Sequence, residues 1–336
     1  MKKILITGGA GFIGSNFIKF FLNKHREYKI INIDKLTYAA DENNLVGIQK
    51  NKNYEFIKGD IADNEFISSI FENNEIHGVI NFAAESHVDN SIKSPNIFIQ
   101  SNINGTFNLL NASFKSWMLG PSDCKPNHKN SRFLHVSTDE VYGSLGKDGF
   151  FSEKSPYSPN SPYSASKASS DMIVRSYFKT YDFNSIITNC SNNYGPQQHD
   201  EKLIPTIIRN AIQNKPIPIY GTGDNIRDWL YVEDHCKAID LAFHHGRKGE
   251  QYNIGGDYEK TNLNIAKDIC MMLDKTKPKN NSYAEQIEFV QDRAGHDFRY
   301  AVDSSKIKSE LGWKPEESFE SGIKKTIKWY LEKYSK

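Results

Sequence analysis

No run in this chain approaches the roughly 20 consecutive apolar residues needed to span a bilayer as a helix, which excludes a helical membrane span. Cysteine is scarce: Cys124, Cys190, Cys236 and Cys270 are scattered, with no C-x-x-C pair. That usage points to reduced thiols and a cytoplasmic setting rather than a disulfide framework. Cys124 and His128 share a polar loop but no second pair accompanies them, so no metal site is expected. Excess charge is missing too. With 42 Lys+Arg against 41 Asp+Glu, the formal net charge is +1, which removes the electrostatic argument for a nucleic acid or an anionic membrane as partner. Any phosphate must therefore be held by local groups. Repeats and low-complexity tracts are lacking as well.

What is present is a globular mix, 38% hydrophobic and 25% charged over 336 residues, enough for two domains or a domain plus a lobe. The start, MKKILITGGAGFIGS, imitates a secretory leader, but glycines break the apolar run after Thr7, too early for an apolar region of ~7–15 residues. It reads as a first strand. Further strand patterns fall at Ile30–Asp34, Tyr54–Lys58, Gly78–Asn81, Arg132–Ser137 and Ser185–Asn189. Between them lie amphipathic stretches at Phe12–Lys24, Asn64–Glu72, Pro95–Trp117 and Pro162–Tyr181, with a polar loop at Leu119–Ser131. This alternation predicts βαβ units and a Rossmann-type, doubly wound parallel α/β sheet. Past Asn192 prolines punctuate short pieces, with helices expected near Val232–His245, Leu263–Leu273 and Phe319–Tyr334. A dinucleotide-binding domain over 1–190, also receiving part of 228–250, and a smaller α/β lobe over 191–336 are expected.

Within KILITGGAGFIGS, glycines 9, 11 and 14 satisfy G-x-G-x-x-G, and Gly8, Gly11 and Gly14 satisfy the related G-x-x-G-x-x-G. Glycine permits a tight turn and a close approach of backbone to a pyrophosphate, and the following helix offers its free N–H groups to the phosphates. The second strand ends on Asp34, about 20 residues on. Its carboxylate suits a ribose 2′-hydroxyl and repels a 2′-phosphate, so NAD is favoured over NADP, a preference Lys35 softens. Asp60 and Ile61, after the third strand, suit the adenine end; Ala83 and Ala84, after the fourth, suit the cofactor's middle.

Two further patterns carry chemistry. Tyr163 and Lys167 stand four apart at the start of a predicted helix, which puts them on one face; an ammonium there favours phenolate and makes Tyr163 a base near neutral pH. Thr138, at a strand tip, can supply a hydroxyl to the same place. Beside it Asp139 and Glu140 set two like charges together. Since successive strand residues point to opposite faces, the backbone must already turn at Asp139 for both to reach one site. Which of them would act as acid and which as base does not follow from spacing.

These parts resemble the short-chain dehydrogenase/reductase superfamily in its extended nucleotide-sugar branch. STDEVYG (137–143) is similar to the signature of the dTDP-glucose 4,6-dehydratases. AAESHVDNSI (83–92), SPYSASKASSD (161–171), CSNNYGP (190–196), EKLIP (201–205), RDWLYVEDH (227–235) and DRAGHDFRY (292–300) extend the resemblance along nearly the whole chain. It implies oxidation at C4 of a dTDP-linked glucose with Tyr163 as base, removal of the C5 proton by Glu140, loss of the 6-hydroxyl with Asp139 as acid, and return of hydride to C6. It also implies a cofactor shell that adds Phe12, Ile13, Leu36, Thr37, Glu85, Ser101 and Asn193, with Tyr163 and Lys167. The implied substrate shell comprises Ser86, Thr138, Asn192, Lys202, Leu203, Pro218, Ile219, Tyr220, Arg227, Asn262, Arg293 and His296. A homodimer through Pro95–Trp117 and Pro162–Tyr181 and a role in deoxysugar formation, as for dTDP-rhamnose, are further implications.

Some positions depart from the family pattern: Ser101 for threonine, Asn189 for arginine, QQHDEK at 197–202 for an aromatic-rich loop, and Ala294 for proline. Two other readings compete. A dehydratase or epimerase for another nucleotide sugar would differ in the pocket by as little as a methyl group, worth ~1–3 kcal/mol; an epimerase, however, needs no acid–base pair at C5. A non-catalytic NAD sensor on the same fold would have no use for Tyr163, Lys167 and both carboxyls together.

Overall fold

The six strand patterns of the first half become neighbours in one parallel sheet, joined by a seventh strand from much later in the chain. The computed structural model describes residues 1–334. Its main strands are β1 (Lys2–Thr7), β2 (Tyr28–Asp34), β3 (Tyr54–Lys58), β4 (Ile76–Asn81), β5 (Arg132–Thr138), β6 (Ser185–Cys190) and β7 (Gln251–Ile254). They lie in the order β3-β2-β1-β4-β5-β6-β7, every pair parallel. Runs such as ILIT and IINID are continuous because helices cover both faces, leaving no solvent side to alternate with. The order reverses between β1 and β4, and at such a switch point the carboxyl ends of the strands open a crevice.

Phe12–Lys24 buries Phe17, Ile18, Phe21 and Leu22 against one face, beside Val232–His245. The other face carries Asn64–Asn73, Gly105–Trp117 and Pro162–Tyr181. The last of these starts on a reciprocal cap, Ser161 with Ser164, and has Pro162 in its first turn. The helix expected over Pro95–Trp117 is interrupted by a wide turn at Ile99–Asn104. That bulge turns Asn102 inward, where its side chain donates to Glu85 O (3.0 Å) and Ser166 Oγ (2.8 Å) and accepts from Glu85 N (2.8 Å). It thereby ties the end of β4 to the Tyr163 helix.

A second core gathers Ile204, Ile207, Trp229, Ile265, Phe319 and Ile323 from beyond residue 190. Its strands are short: Asn192–Tyr194, Ile226–Tyr231 and Glu259–Thr261 form one sheet, Ile217–Tyr220 and Ile287–Val290 another. The three- and four-residue strands among them give too little alternation to register as pattern. The helix Leu203–Ile212 is also hidden in the sequence by Pro205, which sits in its first turn, where a missing N–H costs nothing.

Candidate active site

The carboxyl ends of β1, β2, β4, β5 and β6 open into one cleft. At its floor the chain turns from β1 into the first helix through Gly8, whose φ is +72°. A Cβ on Gly8 would lie 2.6 Å from Ala83 N, and one on Gly14 would lie 2.3 Å from Gly8 O, so both glycines are demanded by packing. Gly11 differs: a Cβ there would meet only Gly8 O, at 3.3 Å. Its missing side chain leaves room in the cleft itself. No side chain caps the helix at Gly11, so its first N–H groups remain free for an anion. Asp34, at the end of β2, is buried and accepts from Ala10 N (2.9 Å) and Leu36 N (2.8 Å). The wall continues through Phe12, Ile13, Lys35, Thr37, Asp60, Ile61, Ala83, Ala84, Glu85, Ser86 and Ser101. Lys35 pairs with Asp60 at 2.6 Å.

Thr138 ends β5, and the chain at once enters a tight 3₁₀ turn over Asp139–Tyr142. The turn breaks strand alternation and brings both carboxylates to the cleft with Tyr163 and Lys167. Asn189, where the family pattern has arginine, is buried and donates to Thr138 O (3.0 Å) and Asp171 Oδ2 (3.3 Å), supporting that turn.

The two carboxylates are electrostatically unequal. Burial pushes the Asp139 carboxyl well above the ordinary range, and the charges of Glu140 and Asp228 add to this. Its Oδ2 is buried without a hydrogen-bond partner among the described residues. Burial also raises Glu140, and Lys202, Arg227 and Arg293 oppose that rise without cancelling it. Glu140 therefore ionises before Asp139, which holds its proton the more strongly.

Tyr163 departs from expectation. Burial, then the charge of Glu140, drives its phenol well up, with Cys190 and Asp139 adding to the effect and the Thr138 hydroxyl opposing it. The Lys167 ammonium donates to Val136 O at 2.8 Å and lies 3.2 Å from His135 Nε2. Burial lowers Lys167 to about 8, opposed by Asp171. Asp171, itself raised to about 6 by burial, accepts from Ser137 Oγ (2.8 Å) and Tyr157 OH (2.9 Å) and stands 3.5 Å from His135. Sequence reasoning missed this buried layer, for nothing in spacing sets His135 or Asp171 apart from other core polar groups.

Asn192, Asn193 and Lys202 complete the far wall, with Gln198, His199 and Glu201, three lining residues that sequence reasoning passed over. The 197–202 loop is anchored from behind: Ser15 Oγ donates to Gln197 Oε1 (2.9 Å) and Gln198 Nε2 to Asn193 O (2.9 Å). Lys202 Nζ donates to Ser86 O at 2.9 Å. Leu36, Leu203, Pro218, Ile219, Tyr220, Arg227, Asn262, Arg293 and His296 do not line the cleft. Leu36 acts through its backbone on Asp34, and Leu203 opens the helix behind Lys202. Arg293 lies beside Tyr220 and pairs with Asp89 at 2.6 Å; Tyr220 OH reaches the same carboxylate at 3.3 Å. His296 bonds Asp292 at 2.7 Å, and Arg227 lies 4.4 Å over the Tyr300 ring. Asn262 Oδ1 is buried and unpartnered among the described residues. Asp89 carries no signal in the sequence beyond its place in the AAESHVDNSI stretch.

Over residues 5–326 the chain matches the family described as GDP-mannose 4,6 dehydratase. The dTDP-glucose 4,6-dehydratase of Salmonella typhimurium is 52% identical across 98% of this chain and 92% of its own length. The structure of the dTDP-glucose 4,6-dehydratase of Bacillus anthracis in complex with NAD is similar at TM-score 0.87 and 46% identity, covering 100% of this chain and 98% of that one. DesIV, the dTDP-glucose 4,6-dehydratase of Streptomyces venezuelae with NAD and TYD bound, gives 0.89 and 40%, over 99% and 98%.

Proposed function

The chain belongs to the GDP-mannose 4,6 dehydratase family and, within it, to the dTDP-glucose 4,6-dehydratases, and from this premise we infer that it converts dTDP-glucose to dTDP-4-keto-6-deoxyglucose and water with NAD as its cofactor. The observation that carries the reading is the cleft that holds Asp139 and Glu140 together with Thr138, Tyr163 and Lys167, with Asp139 raised more strongly than its neighbour.

The cofactor fits the residues present. Gly11 leaves a cradle that a side chain would fill, the uncapped helix offers N–H groups to a pyrophosphate, and Asp34 stands where a ribose hydroxyl can donate to it. NAD, when bound, supplies a hydride acceptor for C4, a donor for C6 and a positive ring charge that favours phenolate at Tyr163. Tyr163 then takes the 4-hydroxyl proton, positioned by Thr138. The 4-keto group acidifies the C5 hydrogen, and Glu140 removes it as a proton. Asp139 gives its own proton to the departing 6-hydroxyl, which leaves as water. Glu140 returns a proton to C5 as C6 is reduced, and each group ends as it began once Tyr163 has released the proton it took from the 4-hydroxyl and Asp139 has regained one. Such acid–base assistance is worth about 10²–10⁴-fold per group. By the family resemblance, Asn192 and Lys202 on the cleft wall, with Leu203 behind, serve the diphosphate and nucleoside and Pro218, Ile219 and Tyr220 the base region, while Arg227, Asn262, Arg293 and His296 complete the set from outside the cleft lining.

The working unit is a homodimer: Ile97, Ile99, Phe107 and Met172 lie 44–50% exposed on the two helical segments Pro95–Trp117 and Pro162–Tyr181, an apolar stripe suited to burial against a second copy. A cytoplasmic setting is supported by four cysteines, all unpaired. Purified protein is to be incubated with dTDP-, UDP- and CDP-glucose and read by the alkali-revealed absorbance of a 4-keto sugar. Signal with dTDP-glucose foremost is expected. Preference for UDP- or CDP-glucose would transfer the reading to another nucleotide sugar, and silence with all three despite bound NAD would favour a sensor.

A further inference from the structure

We propose that His25, Asp240 and His244 form a binding site for one late first-row divalent metal ion, at the end of the first helix remote from the cleft. His25 follows the helix Phe12–Lys24, whose other end is the phosphate cradle; its 13 residues separate the two places by roughly 20 Å. Asp240 and His244 stand one turn apart on Val232–His245, which lies alongside.

The three side chains already converge. Oδ1 of Asp240 lies 2.8 Å from His25 Nε2 and 3.0 Å from His244 Nδ1. Ligand atoms around a tetrahedral zinc ion at 2.0–2.1 Å are separated by about 3.3 Å; the two edges at Oδ1 are slightly shorter than this, all three ligand atoms lie within 4.8 Å of one another, and an ion would replace these contacts and that of His244 Nδ1 with Asp240 O (2.9 Å). The imidazoles are held for this: they stack at 4.6 Å and 24°, with Phe21 against both. Asp240 keeps Oδ2 on the Lys24 ammonium at 2.7 Å, which frees Oδ1 for single-oxygen ligation. His25 Nδ1 faces Glu27 at 3.3 Å, the outer carboxylate that orients and strengthens a ligating histidine.

Two features temper affinity. Lys24 opposes a cation, though its side chain is half exposed and screened. His244 Nε2 is buried without a partner among the described residues, so that ring lacks outer support. Both imidazoles keep an exposed edge through which a water or a further ligand can complete the shell. Two imidazoles and one carboxylate favour zinc, nickel or copper over magnesium or calcium. A bound ion would clamp the cradle helix to Val232–His245 and so stiffen the sheet face behind the nucleotide turn.

The test uses tag-free, chelator-treated protein and zinc chloride, followed by calorimetry and by thermal unfolding. One zinc per chain is expected, with a rise in Tm that magnesium does not reproduce. His25→Gln and His244→Gln abolish both effects while retaining wild-type turnover, and Glu27→Gln weakens zinc binding about tenfold. Since both imidazoles sit at a partly exposed edge, the metal-free Tm of each variant verifies folding. Absence of saturable binding up to millimolar zinc, or equal binding by the wild type and both histidine variants, would overturn the site.

Discussion

At the scale of single residues, position in the fold decides chemistry that residue type leaves open. Asp139 and Glu140 are adjacent acids, and nothing in their spacing says which should hold a proton. The structure separates them: three cationic side chains favour charge on Glu140, while Asp139 is buried against two other carboxylates. Lys167 shows the converse. Spacing correctly sets it on the face of Tyr163, yet its ammonium is turned toward His135 and Val136 O. Asp171 sets its charge from below, since that carboxylate raises the lysine against the lowering effect of burial. Asp171→Asn removes that opposition, so the Lys167 pKa falls further below about 8. Where turnover needs the ammonium, activity is then lost at lower pH than in the wild type. The alkaline limb of the kcat profile should move to lower pH while KM changes little; an unmoved limb would remove Asp171 from the positioning role.

At the scale of elements, the nucleotide turn separates glycines that serve packing from the one that serves a ligand. A methyl at Gly14 would sit 2.3 Å from Gly8 O, whereas at Gly11 nothing but Gly8 O lies within 4 Å, at 3.3 Å. Gly14→Ala should therefore destabilise by ~1–3 kcal/mol and lower Tm by several degrees. Gly11→Val should leave Tm close to the wild type yet weaken NAD retention by tenfold or more, about 1.4 kcal/mol, as read by cofactor released from acid-quenched protein. Equal behaviour of the two variants would contradict the division. Legibility at this scale followed length. Phe12–Lys24, Pro162–Tyr181, Val232–His245 and Phe319–Tyr334 were readable end to end, because each carries several turns of amphipathic pattern. β7 was not, because its four residues give no period and its partner β6 is remote in sequence. The bulge at Ile99–Asn104 was invisible for another reason: it follows from tertiary hydrogen bonds of Asn102, not from local preference.

At the scale of the whole molecule, the chain leaves the main sheet after β6 and re-enters it at β7, and the second core is drawn from segments on both sides of that return. The cleft inherits that arrangement: groups at the ends of β1 to β6 line it, and Arg227 and Arg293 act on Glu140 from the part of the chain that builds the second core. The family motifs made most of the wall readable. They gave no notice of the Arg293–Asp89 pair or of the histidines at the end of the first helix, which meet only in three dimensions. Assembly is testable at the same scale. Phe107→Glu puts a charge into the exposed apolar stripe and should weaken association by ~2 kcal/mol or more, shifting the mass in solution toward that of a 38.3 kDa monomer. A dimer of unchanged strength would assign the interface elsewhere.

The central claim is that Glu140 is the base that starts water loss after oxidation at C4. It is tested most directly by mixing Glu140→Gln with dTDP-glucose, quenching at intervals and weighing the sugar nucleotide by mass spectrometry. Accumulation of dTDP-4-ketoglucose that keeps its C5 hydrogen and 6-hydroxyl is expected, with the deoxy product slowed ~10²–10⁴-fold. Formation of dTDP-4-keto-6-deoxyglucose at the wild-type rate would contradict it.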